Sequence, residues 1–347
     1  NNFLLLLCIQ ISIHTTPCSI LDSRFANSMK LLRGGRRLVL RGGCSDDYAG
    51  SFVKEIWDPN QSLDADATAV YEGHTHWILS LLRYGRWLLT GSLDKTIKVW
   101  DVEAHRFERE LSTLEDTAPR PVPHGGVNCM CECLGKLWVG ATDYSLYLWD
   151  LGTWEFLGRR GGIMVDGKTP EETPDQHYGS VDTIVAVGDR VVSGCEDGVL
   201  RVWNGITLEF ERELEGHTKP IFCLRANRTD AGKYVLLSGA KDDTIRIWDA
   251  EGWSCLRVIE LEEESRVFDL ACLGTLVFSG QARGTMGVWD VDTWDLLSEF
   301  GNHGANYSFG KRVMTFKMPV TCLWAGGRRG LVSGGYDGTV RVWDAWS

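Results

Sequence analysis

A tryptophan followed by an aspartate or its amide recurs seven times along this chain, at Trp57, Trp100, Trp149, Trp203, Trp248, Trp289 and Trp343. The spacings are 43, 49, 54, 45, 41 and 54 residues. A self-similar period of this length means stacked supersecondary units, each too small to bury its apolar face alone. The stretch before each tryptophan has a fixed grammar. Leu89–Asp101 reads LTGSLDKTIKVWD, Leu237–Asp249 reads LSGAKDDTIRIWD, Val332–Asp344 reads VSGGYDGTVRVWD and Val192–Asn204 reads VSGCEDGVLRVWN. Each begins as a short apolar strand, breaks at a small Gly-containing turn, and resumes with the period-two alternation of a half-buried strand. The Asp-Gly or Asp-Lys step supplies the turn chemistry. Two copies depart from the pattern. Trp138–Asp150 (WVGATDYSLYLWD) lacks the hydroxyl residue, and Phe278–Asp290 (FSGQARGTMGVWD) puts Arg283 where the turn Asp stands elsewhere.

These repeats resemble the WD-repeat β-propeller family, and the resemblance runs from about residue 25 to the last residue. It implies an all-β, seven-bladed propeller. In that family a His, a Ser or Thr, an Asp and the Trp of a blade form a buried hydrogen-bonded tetrad. Carried onto this chain, two complete sets are His74, Thr90, Asp94, Trp100 and His217, Ser238, Asp242, Trp248. A third is His177, Ser193, Asp197, Trp203, because His177 precedes Ser193 by sixteen residues, as His74 precedes Thr90. A buried carboxylate, imidazole and indole N–H all need partners, so the sets make physical sense as structure. A His–Ser–Asp set also invites a hydrolase reading. Its recurrence in several blades argues against that, since a catalytic site is built once.

The chain stops four residues after Trp343, whereas a further strand follows the Trp-Asp pair in earlier repeats, as in Phe107–Leu111 or Phe210–Leu214. A blade short of its outer strand leaves an open edge. A strand within residues 3–21 is therefore expected to close the Trp343 blade. This gives an N-terminal segment, 1–24, and a propeller, 25–347. The apolar run Phe3–Ile13 is too short to span a membrane. It also resembles the centre of a signal peptide, without a basic leader.

The net charge of −11 argues against general binding to nucleic-acid backbones. Eleven scattered cysteines without paired CxxC motifs point to core thiols in a reducing compartment, cytosol or nucleus, rather than to zinc or disulfides. No nucleotide loop, metal-ligand spacing or isolated acid pair stands out, so no cofactor and no enzymatic activity are expected. Asp182 with Glu196 comes nearest to an acid pair, and both read as surface charges.

By resemblance, the face onto which the tetrad turns and blade-to-blade loops open is the usual partner-binding surface. Its exposed positions lie three and five residues after the blade's His and one before its Asp. Here they are Trp77, Leu79 and Leu93; Ser180, Asp182 and Glu196; Pro220, Phe222 and Lys241; Arg266 and Phe268; Thr321 and Tyr336. Aromatic and Arg anchors in a polar surround suit a protein interface. Three long connections, Ser112–His124, Gly158–Gln176 and Gly301–Lys317, and an enlarged turn in Leu40–Asp58 are expected on the same face. The expected function is a non-catalytic scaffold or adaptor that holds a protein or peptide partner within a larger complex. Outer-strand motifs such as Cys255–Val258 (CLRV) look similar to those of propellers attached to F-box or RING modules, which gives an alternative, an adaptor or substrate-recognition subunit of a ubiquitin ligase. No Trp-Asp-x-Arg ending supports it. Basic and aromatic residues near Arg312 and Tyr307 raise RNA binding, against which the acidic total stands.

Overall fold

The computed structural model describes residues 10–13, 71–112, 125–161, 175–229, 232–301, 303–309, 312–326, 330–337 and 339–344. Among these, six blades follow one another in chain order, each an antiparallel meander. The Trp100 blade is typical: inner strand Ile78–Tyr84, then Trp87–Ser92, Thr96–Asp101 and outer strand Arg106–Ser112. The blades of Trp149, Trp203, Trp248 and Trp289 repeat this four-stranded order, and the Trp343 blade has the three strands Val320–Gly326, Gly330–Gly335 and Val340–Asp344. The repeat around Trp57, the enlarged turn Leu40–Asp58 and the proposed boundary at residue 24 lie outside the described residues.

No described blade has a core of its own. Five apolar clusters lie between successive blades: Leu89 and Ile97 pack with Val139 and Trp149, Cys131 and Trp138 with Ile184 and Trp203, and the series continues to Phe278 with Leu323 and Leu331. This explains one piece of the sequence grammar differently from the turn expected. Gly91 and Gly239 lie inside second strands, not at a turn. A Cβ on Gly91 would sit 2.4 Å from Val127 and one on Gly239 2.5 Å from Val267, both in the next blade. Only glycine permits that approach.

The turn itself is the residue after the blade's turn Asp, or after Arg283 in the Trp289 blade. Lys95, Tyr144, Gly198, Asp243 and Gly284 all hold positive φ, at 72°, 71°, 82°, 63° and 79°. The acid or amide after each tryptophan has a different task. Asp101 Oδ1 accepts from the amides of Glu103 and Ala104, Asp150 from Gly152 and Thr153, Asn204 from Ile206 and Thr207, and Asp290 from Asp292 and Thr293. Each closes the turn to the outer strand through one side-chain oxygen, so Asn204 serves as well as Asp.

Two expectations are corrected here. Gln10–Ile13 is a strand, but it runs parallel to inner strand Ile78–Tyr84, with Gln10 beside Ser80 and Ile13 beside Arg83, and not on the Trp343 blade. An inner strand has a free edge of unpaired N–H and C=O groups that accepts a further strand, and the residues between 13 and 78 are ample for the long connection that parallel pairing needs. The second concerns Gly301–Lys317, expected as a loop. It contains an antiparallel ribbon, Gly304–Phe309 with Arg312–Lys317. Of the other two long connections, residues 113–124 and 162–174 lie outside the described residues. Among the described residues no helix is long and apolar enough to cross a membrane.

Candidate functional site

The tetrads set the frame on which any surface site rests. In the Trp100 blade, His74 Nδ1 lies 2.8 Å from Asp94 and its Nε2 2.7 Å from Thr90 Oγ1, which also accepts from the Trp100 indole at 2.9 Å. The Trp248 blade repeats this with His217, Asp242 at 3.0 Å, Ser238 at 2.7 Å and the Trp248 indole at 2.9 Å. Burial raises the carboxyl of Asp94, but hydrogen bonds from Thr96, His74 and Thr75 outweigh it and hold it at about 2. Asp242 is held below the ordinary carboxylate value in the same way.

The third expected set is incomplete. Ser193 Oγ pairs with His177 Nε2 at 2.8 Å and with the Trp203 indole at 2.9 Å. Asp197, however, accepts from Arg201 Nη1 at 2.8 Å, and His177 Nδ1 has no partner among the described residues. Burial, reinforced by the Arg201 charge, holds the imidazole neutral, well below its ordinary value. A complete set that the sequence reading missed lies in the Trp343 blade: His303 Nδ1 to Asp337 at 3.0 Å, Nε2 to Ser333 at 2.8 Å, and the Trp343 indole to Ser333 at 2.8 Å. Its signal was present in VSGGYDGTVRVWD, but the ribbon separates His303 from Ser333 by 30 residues.

Above this frame, the two outermost expected positions are joined backbone to backbone in three blades: the amide of Leu93 donates to Trp77 O at 2.9 Å, Glu196 to Ser180 at 3.1 Å and Lys241 to Pro220 at 2.9 Å. In the Trp289 and Trp343 blades the expected Arg266 and Tyr336 make the same bond with residues not singled out from the sequence, Ala282 donating to Arg266 at 3.1 Å and Tyr336 to Pro319 at 3.0 Å. The same end of neighbouring blades is continuous, because Asp243 Oδ1 accepts from the Arg266 amide of the next blade at 2.7 Å. Trp77 and Tyr336 are 50% and 41% exposed. Glu196, Lys241 and Arg266 are also exposed, while Leu93 is half-buried.

The remaining expected position is not at the surface. Leu79 and Phe268 are 6% and 3% exposed, and Thr321 is 7% exposed. The cause is a β-bulge that recurs in all six described inner strands, at Ile78/Ser80, Val127/Cys129, Val181/Thr183, Ile221/Cys223, Val267/Asp269 and Val320/Cys322. Leu79, Asn128, Asp182, Phe222, Phe268 and Thr321 are the bulged residues, and a bulge re-aims its side chain. The row forms an inter-blade seam. Half-buried Phe222 stacks on Phe268 of the next blade, centroids 5.3 Å apart and planes 8° apart. Asn128 Nδ2 donates to Asp182 Oδ1 at 3.2 Å and to Ser180 Oγ at 2.6 Å.

Below the seam, Arg225 donates to Asp269 of the next blade at 2.8 Å, and Asp269 accepts from the Leu323 amide of the blade after that at 2.8 Å.

Comparison with known proteins agrees with this geometry. The family model described as WD domain, G-beta repeat matches residues 66–101, 169–204, 208–249 and 310–344. The chain belongs to the WD40-repeat family. Pre-mRNA-processing factor 17 of Homo sapiens is 26% identical over 320 residues, covering 79% of this chain and 51% of that protein. Cell division control protein 4 of Saccharomyces cerevisiae is 26% identical over 328 residues, covering 73% of this chain and 40% of that protein. The chain thus spans about half the length of these curated relatives, or less. The solved WD40 repeats of RRP9 share the fold with a TM-score of 0.64 at 17% identity, covering 79% of this chain and 78% of that one. The relatives carry unrelated names and mark no subfamily.

The four matched WD40 segments end at Trp100-Asp101, Trp203-Asn204, Trp248-Asp249 and Trp343-Asp344. Among the described blades these are the four in which a His reaches the Ser or Thr. In the Trp149 blade, Asp143 accepts instead from the Tyr147 hydroxyl at 2.6 Å. In the Trp289 blade only the indole–Ser279 bond remains, at 3.0 Å, and Arg283 pairs with Glu262. Arg283 and Glu262, with Thr285, Glu299, Phe300, Gly301 and Lys317, line a polar cleft of about 350 Å³ at the foot of the ribbon. Among the described residues no group of three His, Cys, Asp or Glu side chains is placed to hold a metal ion.

Proposed function

We propose that this WD40 chain is a non-catalytic scaffold that holds a protein partner on the end carrying Trp77, Glu196, Lys241, Arg266 and Tyr336. On this reading a seventh blade around Trp57 completes the ring, and the partner belongs to a larger complex in the cytosol or nucleus. The observation that carries the proposal is the exposure of Trp77 and Tyr336 on backbone fixed by Leu93 and Pro319. Large aromatic side chains held rigidly at a surface lose little entropy on binding and are favoured anchors. Exposed charges of both signs around them, Glu196, Lys241 and Arg266, supply a polar rim. Leu79, Phe268 and Thr321 drop out of the proposed contact set because they are buried, and Phe222 and Asp182 support it from the seam beneath.

The test is affinity capture with the native chain and a folded Trp77→Ala/Tyr336→Ala variant, with Phe107→Ala/Leu296→Ala on the outer strands as the control. Selective loss of one set of proteins from the first variant alone supports the reading. An unchanged set overturns it.

A further inference from the structure

Two residues before the tryptophan, five of the six described blades carry a long polar side chain: Lys98, Tyr147, Arg201, Arg246 and Arg341. The sixth carries Gly287. The outer strand shows what the long residue does. Lys98 stands opposite Glu110 and forms an ion pair with it. Arg201 stands opposite Glu213 and reaches it at 3.0 Å. Gly287 stands opposite Glu299, so the Trp289 blade keeps the acid of this pair and lacks its cation. Glu299 is exposed, and its side chain has no hydrogen-bond or ion-pair partner among the described residues.

The glycine is required where it stands. A Cβ there would lie 2.8 Å from Trp289 Nε1 and 2.9 Å from Ser279 Oγ, so the indole that bonds Ser279 takes the root of the absent side chain. The space beyond that root is open. In the Trp100 and Trp248 blades the long cation runs beneath the glycine of a Gly-His step. Lys98 Cδ lies 3.5 Å from where a Cβ of Gly73 would sit, and Arg246 Nη1 2.5 Å from that of Gly216. The Ala282–Arg266 backbone bond sets Arg266 level with Trp77 and Pro220, which puts Glu262 and Glu263 where those blades have Gly-His. Thr285 is likewise level with Thr96 and Thr244. The polar cleft of about 350 Å³ has Glu262, Thr285 and Glu299 in its walls, the counterparts of the three residues that flank Lys98. It therefore follows the course of the missing cation.

The cations already in the cleft do not fill this role. Arg283 is taken by Glu262, and Lys317 forms no ion pair with Glu299. The surrounding sector favours positive charge: residues 249–300 hold eleven carboxylates against three arginines, and Glu260–Glu264 reads ELEEE.

We propose that the cleft is a socket for one arginine or lysine side chain of a partner protein. The charged head pairs with Glu299, and the stem follows the course left open by Gly287, completing from outside the pair that Lys98 and Arg201 complete within the chain. Arg283 follows Ala282, which is bonded to Arg266, so the socket opens on the same end as Arg266. The proposal rests on the top-face reading above and names the chemistry of one contact.

The test uses the full chain and three short serine–glycine peptides that differ only at one central residue: arginine, its neutral isostere citrulline, or glutamate. Saturation-transfer difference NMR reads their binding. The arginine peptide binds about tenfold or more tighter than the citrulline peptide. Glu299→Gln abolishes that preference, and Glu251→Gln, at an exposed acid outside the cleft, retains it. Lys317→Ala strengthens binding or leaves it unchanged. Unchanged urea midpoints report that the variants are folded. Equal binding of arginine and citrulline peptides, a preference that survives Glu299→Gln, or binding lost in Lys317→Ala overturns the proposal. Tighter binding of the glutamate peptide overturns it in favour of an anion site. If the peptides behave as expected while Trp77→Ala/Tyr336→Ala retains every captured protein, the top-face reading fails and the socket stands alone. If that variant loses its proteins and no arginine preference is seen, the socket alone fails.

Discussion

Arg201 donates to Asp197 at 2.8 Å, and that pairing leaves the buried Nδ1 of His177 without the carboxylate that His74, His217 and His303 each have. An Arg at this place does not by itself exclude the histidine. Arg341 lies 3.0 Å from Asp337, which still bonds His303. In the Trp203 blade, Arg201 is almost fully buried and also reaches Glu213 at 3.0 Å, so its charge has first claim on Asp197.

His217→Leu should therefore destabilise the propeller more than His177→Leu. The first substitution removes a partner from both Asp242 and Ser238, the second only from Ser193. A difference of about 1–3 kcal/mol is expected, that of one further hydrogen bond to a charged group. Urea unfolding of the two variants measures it, and equal losses would contradict the assignment.

Acidification should weaken the fold in two stages. Burial depresses His177 and His303 below 6.5, so the unfolded chain takes up protons there that the folded chain refuses, and stability falls as pH drops through about 6.5. Asp94 and Asp337 are lowered from 3.8 to about 2; their contribution is full above 3.8 and is lost as pH falls toward 2. The urea midpoint measured from pH 7.5 to pH 3 should decline in both windows, with a smaller first step in His177→Leu. A midpoint flat through the first window would count against neutral buried histidines.

The repeated tryptophans and the turn grammar made the blades legible because both are local: one indole, one hydroxyl and one turn within a dozen or so residues. Failures came where the deciding partner is remote or the backbone irregular. His303 was missed because the ribbon displaces it from Ser333. Asp197 was misassigned because Arg201, in the alternating strand, reads as a surface residue. Leu79 and Phe268 were placed outside by resemblance to the family, at a fixed offset from the blade's His that does not foresee the bulge turning them toward the next blade. The glycine of the repeat was read as a turn when its task is to admit a valine from the neighbouring blade, a contact that no single repeat contains.

Asp269 joins three blades through Arg225 and the Leu323 amide, so Asp269→Ala leaves a guanidinium buried without its carboxylate. A loss of about 3–5 kcal/mol is expected, read as a lowered urea midpoint. A loss under about 1 kcal/mol would show that the inner strands are held by apolar packing alone.

Trp77 and Phe222 should separate binding from stability. Trp77→Ala removes an exposed ring and should change stability by no more than about 0.5 kcal/mol. Phe222→Ala breaks the stack on Phe268 and should cost about 1–3 kcal/mol from lost burial and ring contact. Thermal unfolding of both variants decides it, and a costly Trp77→Ala would place that ring in the core.

The most direct test of the scaffold reading is the affinity of a captured partner, purified, for the native chain and for Trp77→Ala/Tyr336→Ala, by isothermal titration calorimetry. The account predicts a dissociation constant raised about tenfold or more, equivalent to at least ~1.4 kcal/mol, with the urea midpoint unchanged. An unaltered dissociation constant would contradict it and move the binding surface elsewhere on the propeller.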